Sequence, residues 1–233
     1  MIREKKVEFK VKKETLRGSL FVPEGKGPFP GVVFFHGSGG IGEMYFEAAE
    51  KLSQKGILGF AFNYRGAGVS DGEFEEQTLE MGITDAKAAL EFFRSQPEVD
   101  RKRLGISGTS FGGFLAALIV DSNVKSLILV GPTAYSPKEL NNQRNQAGDL
   151  TDAFVASESF KNISRYKGKL LMVTSEFDEV IPTPVIQEYL KKAELASKIE
   201  EYVLKGAKHR ISINPSARKV LIQKITDWFL ETL

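Results

Sequence analysis

The chain opens on alternating apolar and polar positions, with Val7, Phe9 and Val11 in one series and Leu16, Leu20 and Val22 in a second. A period of two puts successive side chains on opposite faces, so the pattern predicts two early antiparallel strands turning near Lys13–Glu14. The Gly- and Pro-rich stretch Pro23–Pro30 predicts a loop. Beyond it the texture changes to short, nearly continuous apolar runs: Val32–Phe35, Leu58–Phe62, Leu104–Ile106, Leu127–Val130 and Leu170–Val173. Runs with no polar face are expected of strands covered on both sides, as in a parallel sheet.

Helical patterns lie between these runs. Leu79, Ile83, Ala86, Leu90 and Phe93 recur at four- and three-residue spacing, which puts them on one helix face. Phe114–Val120 is apolar all round and predicts a buried helix. Toward the end, Leu221, Ile225 and Trp228 share a face, with Asn214 placed to cap a helix and Pro215 to open it. Strands alternating with helices predict an α/β fold: a mostly parallel, doubly wound sheet with antiparallel N-terminal strands. Without internal repeats or low-complexity tracts, residues 1–233 read as one domain. Residues Ser136–Lys167 break the alternation, being polar around Asn141–Gln146, and are expected to form a short helical cap or lid. Phe154, Phe160 and Tyr166 would be its apolar material, a small roof that favours short acyl chains.

Composition narrows the classes. Hydrophobic residues make up 42% and charged residues 27%, ordinary for a folded chain. A net charge of +2, from 32 basic and 30 acidic residues, leaves no electrostatic footprint for nucleic acid. The basic stretches Arg3–Lys6 and Lys10–Lys13 alternate with apolar residues and read as solvated strand faces. The absence of cysteine excludes disulfides, thiolate metal sites and a thiol nucleophile. The first ten residues lack the apolar core of a signal peptide, and the run Phe114–Val120 is too short to cross a bilayer. A cytoplasmic protein with no membrane or nucleic-acid partner is the expectation.

The chemistry concentrates at Gly108-Thr109-Ser110-Phe111-Gly112, a G-x-S-x-G directly after the strand Leu104–Ile106 and before the apolar helix. A serine hydroxyl is a weak nucleophile and must project from a tight strand-to-helix turn to meet a base. The following helix would aim backbone N–H groups at the site, where they can hold an oxyanion. Only two histidines exist. His36 precedes the serine, and His209 follows it in a short loop, Gly206–Arg210. Nucleophile-elbow folds run serine, acid, histidine along the chain, which selects His209 as base. The acid should follow the strand Leu170–Val173, where Glu176, Asp178 and Glu179 stand; Asp178 is preferred, with the two glutamates read as solvated. The Phe111 amide is the first oxyanion donor, and the glycine-rich His36–Gly40 supplies the second, at Ser38 with Gly39 a close rival. No G-x-x-x-x-G-K-[ST] phosphate loop is present.

Four stretches together carry a family resemblance: Phe35-His36-Gly37-Ser38-Gly39-Gly40, Asn63-Tyr64-Arg65-Gly66-Ala67-Gly68-Val69-Ser70-Asp71-Gly72, the elbow, and Asp178-Glu179-Val180-Ile181-Pro182. The chain resembles α/β-hydrolase superfamily serine hydrolases of the feruloyl and cinnamoyl esterase type and, more loosely, serine-aminopeptidase-like hydrolases. The resemblance spans nearly the whole chain. It implies that Asp178, before the Val-Ile-Pro stretch, orients the histidine, and that Ser38, after His-Gly, donates to the oxyanion. Two features depart from the family pattern: the insertion is shorter than its usual cap, and Lys208 stands before the histidine in place of a small residue. The expected activity is cleavage of small carboxylic esters through an acyl-enzyme, with no metal or organic cofactor. The same groups would serve a thioesterase, amidase or peptidase, and the fold without the chemistry would serve a binding protein. Homo-oligomerisation is not readable from the sequence.

Overall fold

A computed structural model describes residues 3–142 and 156–233. The opening strands are β1 (Arg3–Val11) and β2 (Glu14–Val22), antiparallel with Val11 opposite Glu14. The turn falls on Lys12 and Lys13, one residue earlier than the alternation implies, and Lys12 takes a left-handed φ of 55° there. There follow β3 (Phe29–Phe35), α1 (Phe46–Gln54), β4 (Leu58–Phe62), α2 (Leu79–Ser95), β5 (Val99–Thr109), α3 (Phe111–Ile119) and β6 (Val124–Val130). The chain continues through α4 (Glu158–Ile163), β7 (Lys169–Phe177), α5 (Thr183–Lys192), β8 (Lys198–Lys208) and α6 (Pro215–Thr232). One eight-stranded sheet runs β1-β2-β4-β3-β5-β6-β7-β8, parallel from β4 to β8.

The apolar runs are the central strands, buried on both faces as their composition requires. On one face α2, α3, α4 and α5 cover Phe60, Phe93, Phe114 and Leu127; on the other α1 and α6 cover Val32, Phe34, Val173 and Trp228. The loop expected to reach Pro30 yields at Phe29, whose N–H donates to the Glu98 carbonyl as β3 begins. The helices α1 and α5 have no counterpart in the hydrophobic pattern. The buried stripe of α1 is Ala48, Ala49 and Leu52, and that of α5 is Val185 and Tyr189, too few large residues to announce a face. Asn214 caps α6 by accepting from the Ala217 amide at 3.1 Å. No helix among the described residues is long and apolar enough to cross a membrane.

The expected roof takes a different form. Of the proposed cap, residues 143–155, including Phe154, lie outside the described residues. Leu140 and Asn142 accept the first amides of α2, those of Glu80 and Leu79, at 2.9 and 3.1 Å. Phe160 packs edge-on to Tyr189 with centroids 4.6 Å apart, and Tyr166 is buried with it. Both belong to the core beside the sheet. Large aromatic surfaces found a place under α5 rather than over the site.

The loop after β4 is built around a buried charge. Arg65 and Asp85 are 2% and 0% exposed and meet at 2.7 Å, with Glu14 and the Met81 carbonyl taking the remaining guanidinium donors. Asn63, before it, accepts the Gly42 amide at 2.7 Å and donates to Glu43. That bond ties the β4 loop to the segment following β3.

Candidate active site

β5 ends at Thr109 and α3 begins at Phe111, leaving Ser110 alone to make the turn with φ 54° and ψ −117°. Such a backbone costs a non-glycine residue about 1–3 kcal/mol and persists only where its surroundings enforce it. Here the Ser110 amide donates to the Val130 carbonyl at 2.9 Å, and its carbonyl accepts from Gly113 and Thr133. The flanking glycines are required by space. A Cβ on Gly108 would lie 2.2 Å from the Gly112 oxygen, and one on Gly112 would lie 2.1 Å from the Phe35 oxygen.

Ser110 Oγ lies 3.0 Å from His209 Nε2, and His209 Nδ1 lies 3.0 Å from Asp178 Oδ2. The three side chains are separated by 99 and 31 positions in sequence and come from the ends of three different parallel strands. The other Asp178 oxygen accepts the Val180 and Ile181 amides, each at 2.9 Å, so the carboxylate cannot swing away from the imidazole. Burial pushes the Asp178 carboxyl up, but the hydrogen bonds from His209, Ile181 and Val180 outweigh it and hold the group below its ordinary range. An ionised Asp178 accepts from Nδ1–H and leaves Nε2 free to take the serine proton.

The loop holding His209 is shorter than the sequence implies, since Gly206–Lys208 still belong to β8. The two glutamates read as solvated do structural work there. Glu176 accepts the Gly206 amide at 2.8 Å and pairs with Lys205, and both contacts lower its pKa. Glu179 accepts the backbone amide of His209 itself at 3.2 Å. Gly131 was also missed. A Cβ there would sit 3.3 Å from Asp178 Oδ2 and 3.7 Å from the imidazole, at a φ of 46°.

His36 is fully buried and away from the hydroxyl. Its Nδ1 donates to the Gly37 carbonyl at 2.8 Å and its Nε2 accepts the Tyr64 amide at 3.4 Å, a neutral ring fixed in one tautomer. Gly40 N–H also donates to the Gly37 carbonyl, so Gly40 is spent as a donor to the site. Ser38 and Gly39 remain, and both line the same cavity as Ser110 and His209. The cavity, about 480 Å³, runs from Ser110 between α1 and α6. No described residue of Ser136–Lys167 lines it. Among the described residues no cluster of His, Asp or Glu is arranged to hold a metal ion.

The sheet, its helices and a serine at the elbow after β5 define an α/β hydrolase. The profile of the family described as serine aminopeptidase, S33, matches residues 28–162, and the chain belongs to that hydrolase family. An uncharacterized Escherichia coli protein from the traX-finO intergenic region is 27% identical over 221 residues, covering 83% of this chain and 77% of that one. Thiohydrolase aneE of Aspergillus aculeatus is 35% identical over 121 residues, 50% of this chain and 37% of its own. The ferulic acid-bound structure of Est1E from Butyrivibrio proteoclasticus superposes with a TM-score of 0.77 at 20% identity, covering 97% of this chain and 98% of that one.

Proposed function

We propose that the protein is a serine hydrolase that cleaves small carboxylic esters through an acyl-enzyme. The observation that carries this reading is the unbroken chain Ser110 Oγ–His209 Nε2 and His209 Nδ1–Asp178 Oδ2, both at 3.0 Å, opening on a cavity. His209 takes the hydroxyl proton as Ser110 attacks the carbonyl carbon. The negative oxygen that forms is held by the Phe111 amide, at the start of α3, and by the Ser38 or Gly39 amide. The tetrahedral adduct collapses, His209 gives its proton to the departing alcohol, and the acyl group stays on Ser110. Water, deprotonated by the same imidazole, then releases the acid. Asp178 keeps the imidazole in the required tautomer and stabilises its charged form.

A thioester is the second substrate reading, supported by the similarity to a thiohydrolase over half of the chain and by the indifference of this machinery to the leaving atom. Labelling with a fluorophosphonate tests the core of the reading, because only an activated serine reacts. Wild type should label at Ser110 and turn over p-nitrophenyl esters, while Ser110→Ala should lose the label and lower kcat by roughly 10⁴–10⁶. An unlabelled wild type, or a Ser110→Ala variant of normal turnover, would sink it.

A further inference from the structure

The cavity beside Ser110 has an unusual far end. Its walls are apolar, formed by Tyr45, Ala48 from α1, Ile211, and Leu221, Ile222 and Ile225 from α6. At about 30 Å³ per water-sized group, 480 Å³ holds about fifteen such groups. That is room for one modest arm of a substrate, extended and dehydrated.

The arm would not end in apolar surroundings. Ser212 and Arg218 line this cavity and also a second one of about 400 Å³, whose other walls are Glu47, Lys51, Pro215 and Lys219. Glu47 is the single carboxylate there. It is shared between Lys51 at 3.3 Å and Arg218 at 2.9 Å, which leaves one positive charge unbalanced. Lys219 adds a second at that end, whereas Arg210 stands at the other end of the cavity, next to His209. Neither Lys219 nor Arg210 takes part in an ion pair among the described residues. With a net charge of only +2 spread over the chain, a local excess of this size at the end of an apolar channel is a directed feature.

We propose that the substrate carries an anionic group, carboxylate or phosphate, at the far end of an apolar arm that fills the cavity between α1 and α6. The proposal rests on the serine-hydrolase reading. The anion could be borne by the acyl half, as in a half-ester of a dicarboxylic acid, or by the leaving half, as in a phosphorylated thiol. The chemistry recognised is the same, and kinetics separates the sources.

Two matched pairs make the test, each measured as kcat/KM at low ionic strength. The first is p-nitrophenyl hexanoate against the mono-p-nitrophenyl ester of adipic acid, with the anion on the acyl side. The second is S-butyryl-pantetheine against S-butyryl-4′-phosphopantetheine, with the phosphate on the leaving side. In one pair the anionic member should exceed its neutral partner by about tenfold, the worth of two or three exposed charge contacts. That pair identifies which half of the substrate enters. Raising salt should shrink the ratio, and Lys51→Gln with Lys219→Gln should bring it toward one. Neutral members that equal or beat the anionic ones in both pairs would overturn the inference, as would a ratio unmoved by salt and by the double variant. If none of the four is turned over while Ser110 still labels, the inference fails alone; if Ser110 does not label, the hydrolase reading fails with it.

Discussion

Ser110 hangs from bonds inside the sheet, whereas His209, 3.0 Å away, ends an edge strand and is tied down by an exposed carboxylate. On the serine side a buried hydrogen-bond chain runs from Ser157 through Ser159 and Tyr189 to the Thr133 carbonyl, and the Thr133 amide meets the Ser110 carbonyl. On the histidine side Glu176 and Glu179 hold the Gly206 and His209 amides in contact with solvent. The nucleophile needs a strained backbone, which only a rigid interior sustains. The base needs correct placement but no strain, and a surface loop provides that with two carboxylates. Both walls should therefore matter equally to chemistry and unequally to stability.

The largest effects fall on the reacting groups, and they test the equal half of that comparison. Asp178→Asn should lower kcat by about 10⁴, because an amide at Nδ1 favours the wrong imidazole tautomer. His209→Ala should cost as much as Ser110→Ala, since the two act as a unit. Steady-state kinetics on an ester checks both, and a mild His209 variant would mean that another group serves as base.

Next comes a substitution confined to the serine wall. Tyr189→Phe removes the hydroxyl between Ser159 and the Thr133 carbonyl, all buried, and should destabilise the fold by about 1–3 kcal/mol in denaturant unfolding. Turnover should fall with it as Thr133 loosens beneath Ser110. A Tyr189→Phe variant of unchanged stability would show that the chain of hydroxyls is incidental to the elbow.

Much of this arrangement was legible because local chemistry is demanding. A serine at φ 54° needs glycines two residues away on each side, and parallel central strands need apolar residues throughout, so both leave marks in the sequence. Chain order then picked His209 from two histidines. Other features leave no mark. Asp178 stands out before its Val-Ile-Pro stretch, but nothing in the sequence marks Glu176 and Glu179 as pins, a role that depends on how β7 meets β8 across an irregular register. Two aromatics of the expected cap are a related case. Phe160 and Tyr166 announce burial but not against what, and the answer came from α5, a helix the pattern never announced. Likewise, the cavity wall contributed by α1 is built on Ala48, too small to draw notice.

A smaller effect is expected of the pins. Glu179→Gln keeps an acceptor near the His209 amide but removes the charge, and should lower kcat/KM several-fold, about 2–10 by the net worth of one ordinary hydrogen bond. Equilibrium unfolding should barely change, because the group is exposed. Such a split between activity and stability contrasts with Tyr189→Phe, where the two should fall together. A variant that loses stability but not activity would erase the distinction between the walls.

Mild acid should reveal the same asymmetry without any substitution. Glu176, Asp178 and Glu179 are all held below their ordinary pKa, Glu176 and Glu179 by backbone amides first, Asp178 by His209, Ile181 and Val180 against its burial. A carboxylate whose folded pKa is depressed contributes stability above its unfolded value, near 4, and loses it as pH falls through the folded one. Below about pH 4, therefore, the bonds that pin Gly206, His209, Val180 and Ile181 weaken together. The bonds around Ser110, from its amide to Val130, from Thr133 to its carbonyl and from Tyr189 to Thr133, contain no group that titrates in that range. Amide hydrogen exchange, corrected for the intrinsic pH dependence, should show protection falling first at residues 206–209 and 180–181 as pH drops below about 4, while β5 and the first turn of α3 keep theirs. Simultaneous loss at both walls would mean that acid unfolds the sheet as one unit, and that the carboxylates hold no separate element in place.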